Sequence, residues 1–236
     1  MKARTTNISI DKNNRIKQKE YTMKANTLLS LILAIALVIV CGKMVIGGKE
    51  RGAATAKTDS ISNPAIDNIM TRASVRAYKE KAVEDGKIDT LLRAGMAAPT
   101  AGDKRPWRFV VVTDQDQLEA IGETSPYAEF IAKAPLAIIV CGDTRKTFDG
   151  EGRDFWVQDA SAATENILLA AHALGLGAVW TGCHPIRKRC KAIAEILELP
   201  NEVIPLNVIA IGYPLQTAKP KDKWDEDRVS YDAYDE

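Results

Sequence analysis

Apolar and polar positions are arranged in three different ways along the 236 residues. Residues 28–40, LLSLILAIALVIV, are an uninterrupted uncharged run with no amphipathic period. Residues 47–62, GGKERGAATAKTDSIS, are small and polar and read as a flexible linker. From residue 63 onward the pattern is that of a folded domain. Asn63 followed by Pro64 places a capping side chain before a proline at the first helical position, which predicts a helix start. Ile88, Leu91, Leu92, Gly95 and Met96 lie on one stripe and predict a helix over 85–97, stopped by Pro99. RFVVVT (108–113) predicts a strand, DQDQLEAIGE (114–123) a short helix, and PLAIIVCGD (135–143) a buried strand. Residues 157–174 are alanine-rich and apolar on most sides, the pattern of a central buried helix ended by Gly175. A strand over 178–182, a charged helix over 185–199, a strand over 203–213 and a polar tail complete the chain. Strands and helices are intermixed without regular βαβ spacing, so the fold class is α+β.

The run at 28–46 is a signal peptide or a membrane anchor. Its uncharged part is short for a span of about 20 residues, unless Lys43 snorkels and extends it to Ile46. Seven basic residues precede it within positions 1–27, and this bias predicts that the domain lies outside the cytoplasm. Met23-Lys24 is an alternative start to Met1. Cleavage is left open, because Ala54-Thr55-Ala56 lies far from the apolar core and Val40 is bulky for the position before Cys41.

A net charge of +1, without an arginine-rich run, excludes nucleic acid as an expected partner. The four cysteines (Cys41, Cys141, Cys183, Cys190) form no C-x-x-C pair, and only two histidines accompany them, so no metal site is expected. They read as free, mostly buried thiols, with a Cys183–Cys190 pair as the alternative.

TRASVRAYKE (71–80) sets Arg72, Ser74 and Arg76 at every second position with Ala73, Val75 and Ala77 between them. In an extended segment the three polar side chains share one face. Two guanidiniums and a hydroxyl suit a multiply charged oxyanion such as a phosphate ester, whereas the simpler alternative is a solvated basic edge.

Four segments in this order resemble the nitroreductase family of FMN-dependent oxidoreductases. RASVRAY is similar to its opening R-x-S-V/I-R-x-F/Y motif, and AAPTAGDKRPWRFVVV to its A-P-S-x-x-N-x-Q-P-W-x-F block. NILLAAHALGLGAVWTG resembles its central helix and flavin loop, and VIAIGYP its late strand. The likeness spans residues 63–236. It implies a three-layer fold, an antiparallel-dominated sheet wrapped by helices, in an intertwined homodimer with an FMN in each of two interface clefts.

The resemblance also implies roles for individual residues. Arg72, Ala73 and Ser74 would bind the FMN phosphate, completed by Lys221 and Lys223, with Arg228 a further candidate. Arg76 would lie near the pyrimidine edge of the flavin, where a fixed cation stabilises the charge added by reduction. Thr181 and Gly182 would face flavin N5, glycine allowing close approach. Pro99, Thr100 and Asp103 would come from the partner subunit. Here the chain departs from the pattern: Asp103 stands for the usual asparagine and Arg105 for the usual glutamine. An ionised Asp103 would disfavour reduction unless Arg105 or Lys104 pairs with it. His172 is expected to pack in the core. His184 is a candidate substrate contact, and Phe155 and Trp156 either line the cleft or pack.

The implied activity is reduction of the flavin by NAD(P)H and its reoxidation by a small organic acceptor, with no side chain assigned as acid or base. Two alternatives are an exported flavin-binding redox protein without NAD(P)H turnover, and a relative with another flavin task such as dehalogenation. The short segment between Asp143 and Trp156 leaves little room for the lid the latter needs.

Overall fold

The computed structural model describes residues 63–234 together with the single residue Met23. The expected basic segment 1–27, apolar leader 28–46 and linker 47–62 therefore lie outside the described residues, Met23 apart. The chain falls into two units, Met1–Ile61 and Ser62–Glu236, and every element named here belongs to the second. Among the described residues no helix is long and apolar enough to cross a membrane.

Helix α1 (Pro64–Thr71) begins as its sequence dictates: the Asn63 side chain accepts a hydrogen bond from the Ala65 amide at 2.9 Å, ahead of Pro64. Helix α2 (Asp85–Met96) follows, then strand β1 (Trp107–Val112), helix α3 (Gln115–Glu123) and strand β2 (Leu136–Asp143). The long helix α4 (Phe155–Ala173) leads into β3 (Gly177–Gly182), α5 (Arg187–Ile196) and β4 (Val203–Gly212). The strands form one sheet in the order β1-β2-β4-β3, every neighbouring pair antiparallel.

Side-chain alternation along β2 and β4 divides the interior into two layers. Leu136, Ile138 and Val140, with Ile209 and Ile211, face a cluster containing Leu91, Trp156 and Ile167 from α2 and α4. Ala137, Ile139 and Cys141, with Val208 and Ala210, face Leu118, Ile121 and Ile193 from α3 and α5. The result is helices, sheet, helices: a three-layer α+β fold.

Two glycines let α4 approach its neighbours closely. A Cβ on Gly142 would lie 2.1 Å from the indole of Trp156, so β2 and α4 can meet this closely only at glycine. Gly95 brings α2 against Ile167 of α4 in the same way, its would-be Cβ at 3.0 Å. Trp156 is thereby a packing residue of the first turn of α4, and its ring meets that of His184 edge-on at 4.9 Å. Phe155 is exposed and contacts Phe148, with ring centroids 6.3 Å apart.

The helix over 157–174 starts two residues earlier than its alanine-rich pattern indicates, because Phe155 and Trp156 join its first turn. His172 is not a core residue. It is half-buried, and its Nε2 lies 2.9 Å from the Thr71 hydroxyl, tying α4 to the end of α1. Cys141, Cys183 and Cys190 are free thiols, the first two buried. Burial pushes Cys141 and Cys183 up to about 12, which keeps both protonated and unreactive at neutral pH.

Candidate functional site

After α1 the chain turns extended at Arg72 and runs beside the sheet. Ser74 bridges Ala178 of β3 in parallel, the Val75 amide donates to the Ala178 carbonyl at 3.1 Å, and Tyr78 bridges Pro214. Val75 packs so closely on Gly177 that a Cβ there would stand 2.6 Å from it. The apolar positions of 71–80 thus hold the segment against the sheet. The exposed positions include Ser74 and Arg76. Ala73 is half-buried and lines a cavity of about 200 Å³ with Val75, His172 and Thr217.

Arg72 lines a second, larger cavity of about 570 Å³. Its other walls are Ile69 and Met70 from α1 and Pro220, Lys221, Asp222, Lys223 and Trp224 from the tail. Three cations from the two ends of the domain therefore share one depression with a single carboxylate in its lining. Glu165 of α4 lies 3.4 Å from the Arg72 guanidinium; the Arg72 side chain is 19% exposed and that of Glu165 47%. This donor set fits a phosphate dianion: an excess of positive charge, one planar fork and two flexible ammoniums. A cavity of equal size bounded by Glu119, Glu123 and Glu129 would repel such a ligand.

Arg76 does not line the Arg72 cavity. Its guanidinium lies 5.8 Å from the Phe130 ring centroid, within cation–π range. Arg228 is also elsewhere engaged, its Nε donating to Asp225 at 2.6 Å.

Thr181 and Gly182 close β3 opposite Val208 and Asn207 of β4. A Cβ on Gly182 would meet nothing within 4 Å, so this backbone faces open space. The Thr181 hydroxyl is buried without a hydrogen-bond partner, as is Oδ1 of the fully buried Asn207. Asn207 Nδ2 donates to Thr164 of α4 at 2.8 Å. The sequence reading missed this polar pair because neither residue belongs to a motif and only the packing of α4 on β4 brings them together.

Pro99, Thr100 and Asp103 sit on the turn between α2 and β1. The Ala101 amide donates to the buried Asp159 carboxylate at 2.8 Å, anchoring the turn to α4. Asp103 and Arg105 both have positive φ, at 54° and 49°, and join in a bidentate pair of 2.7 and 2.6 Å. The Arg105 hydrogen bond holds the Asp103 carboxyl below the usual carboxylate range. The two residues that depart from the family pattern thus neutralise each other. Among the described residues no hydrogen bond or ion pair joins this turn to Arg72, Ser74, Thr181 or Lys221.

The model of the Nitroreductase family matches residues 69–126 and 122–213. The chain belongs to the nitroreductase family. One relative from Methanothermobacter thermautotrophicus, provisionally named an NADH dehydrogenase/NAD(P)H nitroreductase, is 44% identical over 170 residues, 72% of this chain and 87% of the relative. A solved structure from Bacteroides thetaiotaomicron with the same provisional name is 47% identical and superposes with a TM-score of 0.70, covering 73% of this chain and 99% of that one. A provisionally named nitroreductase from Desulfovibrio desulfuricans, solved in complex with FMN, is 31% identical with a TM-score of 0.65, covering 74% and 99%. In nitroreductase terms, the matched range takes in the Arg72 segment, the Asp103 turn and the Gly182 loop. It ends before Lys221 and Lys223, which line the Arg72 cavity.

Proposed function

We propose that this nitroreductase-family chain is an FMN-dependent NAD(P)H oxidoreductase, and that the cavity beside Arg72 receives the cofactor phosphate. The observation that carries the reading is the convergence of Arg72, Lys221 and Lys223 on one cavity. When bound, FMN supplies two-electron chemistry, taking hydride from NAD(P)H and passing the electrons to a small organic acceptor such as a nitroaromatic or a quinone. The two substrates use the same cleft in turn. Relatives named as an FMN reductase using NAD(P)H and as an oxygen-insensitive NADPH nitroreductase support this class of reaction.

The protein contributes binding and electrostatics. Arg72, Lys221 and Lys223 neutralise the phosphate, and Ser74 adds a hydroxyl donor beside the small Ala73. Arg76, set apart from that cavity, favours the ring's negatively charged form. Thr181 and Gly182 let the backbone approach the ring from the open end of β3. Pro99, Thr100 and Asp103 complete the neighbouring site in a homodimer.

Dimerisation is supported by α1, which buries none of its residues within the single chain and leaves Ile66, Ile69 and Met70 exposed. Light scattering that finds a monomer still holding FMN would refute the shared site. We further propose that the apolar segment 28–46 places the domain outside the cytoplasm. Protease treatment of intact spheroplasts should then degrade it, and full protection contradicts this placement. The deciding experiment is the absorbance spectrum of the purified protein, repeated after anaerobic addition of NADH and of NADPH. A yellow protein bleached by either nucleotide is expected. A folded, colourless protein that takes up no added FMN would sink the reading.

A further inference from the structure

We infer that Arg189 is a positioning residue for the loop at the end of β3, and that its buried charge raises the reduction potential of the cofactor held there. The inference rests on the reading of Thr181 and Gly182 as the flavin-facing loop and goes beyond it by adding a charge behind that loop.

Arg189 belongs to the first turn of α5 and is 6% exposed, the one buried cation among the described residues. Its Nη1 donates to the Gly182 carbonyl. Its Nε donates to the Thr124 hydroxyl at 3.3 Å, just past the end of α3. Nη2 is buried and has no hydrogen-bond partner. Among the described residues no carboxylate pairs with this guanidinium. The other side of the same peptide is also fixed, because the Cys183 amide donates to the Leu206 carbonyl at 2.9 Å. The Gly182–Cys183 peptide is therefore clamped between Arg189 and β4, while Gly182 faces open space.

An ion taken out of water without a counter-ion is expensive, and chains seldom keep one that a leucine or methionine could replace. Negative charge arising on the open side of Gly182 would offset that cost. Two effects then come from one side chain. The fork holds the carbonyl in place, and the charge acts through the peptide on whatever gains electrons beyond it. Neither effect needs Arg189 to touch the cofactor.

The test uses the full chain loaded with FMN, in wild-type, Arg189→Gln and Arg189→Lys forms. The readouts are the two-electron potential, by equilibration with a redox dye, and the affinity for oxidised FMN. Glutamine retains a donor for the Gly182 carbonyl and removes the charge. It should weaken the hold on reduced FMN on the order of tenfold relative to oxidised FMN, a fall of about 30 mV for a two-electron couple. Affinity for oxidised FMN should stay within a factor of about three. Lysine retains the charge and should match wild type at pH 7. Its potential should then drop below that of wild type as pH rises to 10, since a buried ammonium loses its proton and a guanidinium does not. An unchanged potential in the glutamine form, with only a lower melting temperature, would reduce Arg189 to a structural tie and overturn the inference. If the glutamine form does not fold, the lysine form decides alone, and a pH course parallel to wild type overturns it. Wild-type protein that binds no FMN overturns the reading of the whole site, a result distinct from these.

Discussion

The cavity beside Arg72 and the turn from Pro99 to Arg105 contain similar numbers of charged groups and treat them in opposite ways. In the cavity, three cations face one shared space with only Asp222 among them in its lining. In the turn, Asp103 and Arg105 spend their charge on each other through two short hydrogen bonds. The first arrangement leaves positive potential for a ligand. The second leaves almost none, although both residues are exposed and free to point elsewhere. An excess of positive charge gathered from distant segments, only partly offset by Glu165 beside Arg72 and by Asp222, has to be held by the fold, whereas a pair two residues apart forms by itself. That contrast separates a binding surface from a locally satisfied one.

The largest expected effect comes from emptying the cavity of charge. Replacing Arg72 and Lys221 together by alanine should weaken FMN binding by about a hundredfold or more, since each charge-assisted contact contributes roughly 1.5–3 kcal/mol. Fluorescence titration of the double variant measures this, and a loss below tenfold would put the phosphate elsewhere.

A buried carboxylate–arginine cluster calibrates the other side of the comparison. Asp143, 1% exposed, accepts from Arg145 at 2.8 and 3.0 Å and from Arg108 at 3.2 Å. Hydrogen bonds from the Arg145 side chain hold its carboxyl below the usual range against the opposing effect of burial. Asp143→Asn should cost about 1–3 kcal/mol at pH 7 in denaturant unfolding. Because the folded pKa is the lower one, the unfolded chain takes up this proton first as pH falls. The contribution is therefore complete above the unfolded value near 3.9 and lost as pH drops through the folded one. The stabilities of variant and wild type should converge in acid, and a constant difference down the pH range would rule out the ionised pair as its source.

The smallest effect belongs to the turn. Asp103→Asn breaks an exposed pair, so the melting temperature should move by no more than about 2 °C and FMN affinity by less than about threefold. A larger loss of FMN would mean that the Asp103 carboxylate itself contacts the cofactor of the neighbouring site, giving up Arg105 in the dimer, rather than serving that site only by shaping the turn that carries Pro99 and Thr100.

What the sequence could disclose follows from the range over which each feature is determined. β2 and β4 are legible because alternation on two buried faces leaves a solid apolar run, and α1 because Asn63 and Pro64 act within one turn. The extended course of 72–78 is legible from its two-residue period. The pairing of Asp103 with Arg105 is foreseeable as a local option. By contrast, His172 lies in an alanine-rich helix that reads as core, and only the end of α1 supplies the Thr71 hydroxyl that draws it to the surface. Arg189 sits in the segment 185–199, which reads only as a charged helix, and nothing nearby in sequence reveals Thr124 or the Gly182 carbonyl. Long-range partners of polar groups were the unreadable part, and these shape the ring end of the candidate site more than its phosphate end.

Whether Arg72 meets the phosphate is read from a single ratio, the dissociation constant for riboflavin over that for FMN, in wild type and in Arg72→Ala. Riboflavin carries the same ring without the phosphate, so contacts to the ring cancel. A strong preference for FMN is expected in wild type and should shrink about ten- to a hundredfold in the variant. An equal loss of affinity for both ligands, with the ratio unchanged, would contradict it.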